Sequence, residues 1–105
     1  MDAFGANPLI PSMSLKAQAR HLKHLREGAS YPNVSMEEYV RMSGELARLA
    51  VGGDILGYKA KDGAIVRYNT ATNDWVKAYE SGVASMYKPK RGLDYFTDTK
   101  NSDGG

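Results

Sequence analysis

The sequence predicts an α+β domain in which two N-terminal helices pack on a four- to five-stranded antiparallel meander. Three observations carry this. Apolar residues recur at helical spacing in two segments before residue 51, the period falls to two after Gly53, and turn residues such as "KDG" and "NTATND" separate the later segments. A chain of 105 residues supports one domain with one modest core, and 42% hydrophobic with 25% charged residues is ordinary globular usage, not that of a disordered chain.

The first helix is expected over about residues 15 to 26. Leu15, Ala19, Leu22 and Leu25 set its period, and Gly28 followed by Pro32 stops it. "SMEE" at 35 to 38 reads as a capping box opening the second helix, whose stripe of Met36, Tyr39, Val40, Leu46, Ala47 and Ala50 runs to Gly52-Gly53. "DILGYKA", "AIVRYN", "WVKAYE" and "VASMYKP" then read as four strands joined by tight turns, with "LDYFTD" as a further extended piece. A meander of this size buries one face on the helices, and its other face is expected to stay open. Residues 1–13 and 98–105 lack periodicity and are expected to be flexible, leaving 14–97 as the single domain.

Composition narrows the function classes. Fourteen basic against twelve acidic residues make total charge a weak signal, so local clustering has to identify any anionic partner. With no cysteine there is no thiolate chemistry and no disulfide, which fits a reducing cytoplasm as the place of action. No run of eighteen apolar residues suggests a membrane span, and the start has no basic n-region of a signal peptide. HExxH, GxxxxGK[ST], GxGxxG after a strand and GxSxG are all missing, so no metal or cofactor is expected.

Chemistry concentrates in "ARHLKHLREG", residues 19 to 28, which holds both histidines of the chain. At about 100° per residue, Leu15, Ala19 and Leu22 cluster on one side of this helix. His21 and His24 lie about 60° apart on another flank, with Arg20 and Lys23 as the nearest cations. Cleaving RNA without a metal needs a base for the 2′-OH proton, an acid for the leaving 5′ oxygen, and cations for the charge gathering on phosphate. This flank offers candidates for all three. The same residues also suit an ordinary solvated helix face, and spacing does not separate the two readings.

A second signal lies in the strands, which carry most of the seven tyrosines interleaved with cations. Lys59 follows Tyr58, Arg67 precedes Tyr68, Lys77 and Tyr79 share a face, and "YKPKRG" forms a basic run beyond the last strand. Such a surface suits RNA, through phosphate pairing and base stacking. Tyrosine is equally a favoured strand residue in its own right.

The order "RHLKHLREG", "SMEEYV", "GGDILGYKAKDGAIVRYNTATNDWV", "MYKPKRGLDYF" resembles the C-terminal nuclease domains of bacterial polymorphic toxins. These include contact-dependent inhibition tRNases and colicin D-related domains of the barnase, EndoU, colicin and RelE type of fold. The resemblance spans about residues 18 to 97 and rests on Lys23-His24, on "RYN" at Arg67 to Asn69 with Thr72 beyond it, and on "YKP…DYF" through Tyr95 and Phe96. Leu25 and Thr70 stand where members often have glycine and proline.

The resemblance implies that His24 leads the acid–base work with His21 as helper, and that Arg67 holds the scissile phosphate. It further implies that Tyr87 or Ser85 completes the site, while Arg20, Lys23, Lys77, Lys88 and Lys90 track the RNA backbone. The implied activity is a metal-independent ribonuclease, a tRNase that leaves a 2′,3′-cyclic phosphate. The implied partners are tRNA, a cognate immunity protein and a host translation factor. A monomer is expected, secreted as the C-terminal part of a larger toxin and acting in the target-cell cytoplasm. The alternative is a non-catalytic RNA- or protein-binding module of the same build.

Overall fold

A computed structural model describes residues 1–103. The elements run α1 (Leu15–Glu27), α2 (Met36–Arg48), β1 (Ile55–Lys59), β2 (Ile65–Asn69), β3 (Asp74–Tyr79), β4 (Gly82–Tyr87) and α3 (Leu93–Asp103). The strands form one antiparallel sheet in the order β1-β2-β3-β4, so the protein is α+β with its two N-terminal helices preceding a meander. Local chemistry accounts for the helix starts. Ser14 and Ser35 cap α1 and α2 by accepting from the backbone N–H of Ala17 and Glu38. Helix α2 ends at Arg48, short of the glycine pair, and Gly53 at φ 55° instead turns the chain into β1.

Period-two alternation sorts the strand residues onto two faces. Ile65, Val76, Ala78, Val83 and Met86 join Ala17, Tyr31, Tyr39, Leu46 and Ala47 in a core beneath α1 and α2. Tyr58, Val66, Tyr68 and Trp75 form a second core on the opposite face. Each fully buried side chain of this size stabilises by roughly 1.5–3 kcal/mol, so neither face could be left bare without a large loss.

That second face corrects the sequence reading, because it is not open. The segment "LDYFTD" is the start of α3, not a fifth strand, and Phe96 packs its ring 5.6 Å from Tyr58 and 5.7 Å from Tyr68. Six residues are too few to distinguish a period of two from one of 3.6. The demand for a cover over the aromatic face decides the matter. Residues 98–103, expected as part of a flexible tail, belong to the same helix, and 104–105 lie outside the described residues.

Nor is the N-terminal segment loose. Ile10 and Met13 are buried in the first core, the Asn7 N–H bonds Arg48 O at 3.0 Å, and Val83 N–H bonds Pro11 O at 3.1 Å along the edge of β4. It lacks periodicity because single residues anchor it, not a repeated face.

Helix α1 is also turned relative to expectation. Its inward side is Ala17, His21 and Leu25, while Leu15 is 82% exposed and Leu22 37% exposed. Small Ala17 allows close approach to the sheet edge, and His21 finds a backbone acceptor there. The leucine cluster therefore faces solvent and the histidine flank faces the domain.

Candidate functional site

The rotation of α1 directs both histidines toward a cavity of about 360 Å³ between α1, the loop after it, α2 and β4. His21, His24, Leu25, Gly28, Ser30, Tyr31, Tyr39, Met86 and Tyr87 line it. His21 is half-buried, and its Nε2 lies 3.1 Å from Ala84 O. A carbonyl only accepts, so Nε2 is the donor in this contact, and Nδ1 is the ring nitrogen left without a partner among the described residues. His24, one helical turn on, is exposed and makes no side-chain hydrogen bond among the described residues.

A β-bulge supplies the carbonyl that fixes His21. Lys77 pairs with Ser85 and Ala78 with Val83, so Ala84 is an extra residue without a partner in β3. The extra residue brings Val83 and Met86, three apart in sequence, onto the same face. It also frees the Ala84 carbonyl to receive the imidazole.

Tyrosines build the cavity floor, and their hydroxyls are committed. Tyr39 donates to Met86 O and accepts from Met86 N at 3.2 Å, and its ring centroid lies 6.1 Å from His21 and 5.3 Å from Tyr31. Burial pushes the Tyr39 hydroxyl up to about 12. Tyr31 donates to Asp74 Oδ1 at 2.8 Å, and burial first, then that bond, raises its hydroxyl as well. Asp74 is itself buried and also receives Lys88 Nζ at 2.9 Å and the Thr72 hydroxyl at 2.8 Å. These groups make a rigid rim, with the Lys88 ammonium 5.1 Å from the centre of the Tyr31 ring.

The remaining sequence-derived residues divide. Tyr87 borders the cavity at the end of β4, but its ring lies on the α3 side of the sheet, stacked on Trp75 at 5.0 Å with its hydroxyl 2.5 Å from that of Tyr95. Arg20, Lys23 and Lys90 are exposed, the first two on α1 beside the imidazoles. Lys88 is held at the rim by Asp74 and by Thr72 O at 2.8 Å, so part of its hydrogen-bonding capacity is already spent. Lys77 and its register partner Ser85 lie on the α3 side of the sheet, the face of Trp75 and Tyr79. Neither reaches the histidines.

Arg67 overturns the largest part of the expected site. It is fully buried at 0% exposure on β2, two strands in from the β4 edge, and every guanidinium nitrogen is used. Nε donates to Leu49 O at 2.9 Å, Nη1 to Val66 O at 2.9 Å, and Nη2 to Gly5 O at 3.1 Å and Asp2 O at 3.4 Å. Burial lowers its affinity for its proton. Gly57 stands opposite in the ladder, where a Cβ would come within 2.5 Å of Nη1 and 2.7 Å of Val66 O. Arg67 is therefore a clasp for the N-terminal segment, sealed where no phosphate reaches it.

Sequence reasoning missed Tyr31, Ser30 and Asp74 at the site, and it read Tyr39 and Met86 only as strand or helix positions. The bulge alone had a signal, since Val83 and Met86 are both apolar at an odd spacing that a regular strand does not bury on one face. Among the described residues no three His, Cys, Asp or Glu side chains converge as metal ligands, and no helix is long and apolar enough to cross a membrane. The sequence matches no family model and no curated protein.

Proposed function

We propose that the protein is a ribonuclease, acting on tRNA by 2′-OH transesterification, with His21 and His24 as its acid–base pair. The supporting observation is that the two imidazoles of the chain open onto one cavity, one tethered and the other free. His21, held through Nε2, takes the 2′-OH proton at Nδ1. The 2′ oxygen attacks phosphorus, and the departing 5′ oxygen takes a proton from His24, leaving a 2′,3′-cyclic phosphate and a 5′-hydroxyl. Arg20 and Lys23 neutralise the phosphate from α1, and the ammonium of Lys88 adds positive charge at the Tyr31 rim. Tyr31 and Tyr39 line the cavity that would receive an unpaired base. The resemblance to polymorphic-toxin nucleases supplies tRNA as substrate class, and with it an acidic immunity protein, a host translation factor as partner, and action in a target-cell cytoplasm.

The test is incubation of the purified chain with total tRNA in EDTA beside His21→Ala and His24→Ala. Cleavage to ends carrying cyclic phosphate is expected, with each variant slower by about 100-fold or more. Intact tRNA in the presence of folded wild-type protein would overturn the reading. A second reading, a non-catalytic RNA-binding module, is favoured by the commitment of Arg67 to backbone carbonyls, which leaves no sheet guanidinium at the cavity. A gel shift with tRNA that persists in the His21→Ala/His24→Ala protein, with no cut ends in the wild type, identifies that case.

A further inference from the structure

We propose that the outward face of α1 is a docking surface for an anionic phospholipid bilayer. The face has two components that no contact within the domain explains. Leu15, Ala19 and Leu22, spaced i, i+4 and i+7, form a ridge along the solvent side, with Leu15 82% exposed and Leu22 37% exposed. Isolated exposed leucines are ordinary, but a helical row of them on the side away from the core is an unburied apolar stripe. Beside the ridge lie Lys16, Arg20, Lys23 and Arg26, and none of them forms an ion pair among the described residues.

Charge complementarity selects the occupant. Helix α1 holds four cations and one carboxylate, Glu27, while the rest of the chain holds ten cations and eleven carboxylates. The net positive charge of the protein thus resides on this one helix. An exposed helix with a leucine ridge bordered by Lys and Arg matches an interface of phosphate headgroups over acyl chains, into which the ridge settles while the cations stay at headgroup level. An RNA strand would engage the cations and leave the leucines in water. Thirteen residues give about 20 Å of helix lying along the surface. Each cation held at an anionic surface raises affinity about fivefold, so four give a preference for anionic over neutral lipid on the order of several hundredfold. The ridge, with Lys16 and Arg26, is separate from the His21–His24 cavity, since it and Ala17, His21 and Leu25 occupy different sides of the helix, while Arg20 and Lys23 stand between the two surfaces.

The experiment is sedimentation of the full chain with vesicles of phosphatidylcholine, and with vesicles of equal parts phosphatidylcholine and phosphatidylglycerol. Binding to the mixed vesicles alone is expected, weakening as salt is raised. It should fall about tenfold or more in Leu15→Glu/Leu22→Glu and again in the independent Lys16→Glu/Arg26→Glu, both at exposed positions outside the cavity. The cleavage assay on the leucine variant should match wild type, which keeps this test apart from the ribonuclease reading. Three outcomes overturn the proposal: no binding to mixed vesicles, binding unchanged in either variant, or a solution dimer abolished by the leucine substitutions, which would assign the ridge to a second copy of the chain.

Discussion

Arg67 and the His21–His24 pair lie on the same side of the sheet, and their surroundings are opposite. Arg67 is sealed from water with all three guanidinium nitrogens on carbonyls of the N-terminal segment, the β2 backbone and Leu49. His24 is exposed with no bonded side-chain partner among the described residues, and His21 has one bond, to a carbonyl that a bulge has released from the sheet. A polar group that serves the fold is saturated, because an unmet buried donor or acceptor is expensive. One available for chemistry keeps a lone pair or proton free. The comparison separates two residues that a motif reading joins in one site.

The broadest test of the saturated class is alkaline unfolding. Tyr39 is pushed up to about 12 by burial, and burial raises Tyr31, Tyr58 and Tyr87 too. An unfolded tyrosine titrates near about 10, so the folded state holds these protons more tightly. Stability is complete below pH about 10 and is lost as pH rises toward about 12. Urea midpoints followed across that range should fall steeply, and a flat profile would contradict buried, committed hydroxyls.

Next in size is Arg67→Ala, expected to cost roughly 3–5 kcal/mol by orphaning several carbonyls at once. Urea unfolding measures it, and a loss below about 1 kcal/mol would remove Arg67 from the structural class. Gly57→Ala should follow at about 1–3 kcal/mol, since its methyl invades the space that Arg67 Nη1 and Val66 O occupy. His21→Ala should lose about 1 kcal/mol with its bond to Ala84 O. His24→Ala should change stability by less than about 0.5 kcal/mol, the smallest effect, while carrying one of the largest losses in the tRNA assay. A His24→Ala protein as unstable as Arg67→Ala would erase the distinction between the two regions.

Legibility in the sequence followed how local each signal is. Ser35 as a cap, the alternation of "AIVRYN" and "WVKAYE", and the turns between them are set by neighbours within a few residues, and they stand where the sequence puts them. The inward face of α1 was misread because its more apolar side, Leu15, Ala19 and Leu22, is not its buried one. Hydrophobicity alone cannot register that His21 has an acceptor waiting on β4. Helix α3 was misread because its helicity depends on Tyr58 and Tyr68, distant residues that Phe96 covers. Of the expected site, His21 and His24 meet at the cavity, whereas Lys77, Ser85 and the ring of Tyr87 face the other side of the sheet through strand parity.

By itself, then, the sequence determined the α+β class, the order of the first two helices and four strands, and the concentration of imidazoles and cations on one helix. Those follow from periodicity and capping, which act over one or two turns of chain. Only the tertiary structure decided that Arg67 is a clasp, that α3 closes the second face, and that His21 is anchored by a bulge at Ala84. Each of these depends on which distant backbone carbonyls or aromatic rings lack a partner, and that is known only once the chain has come together.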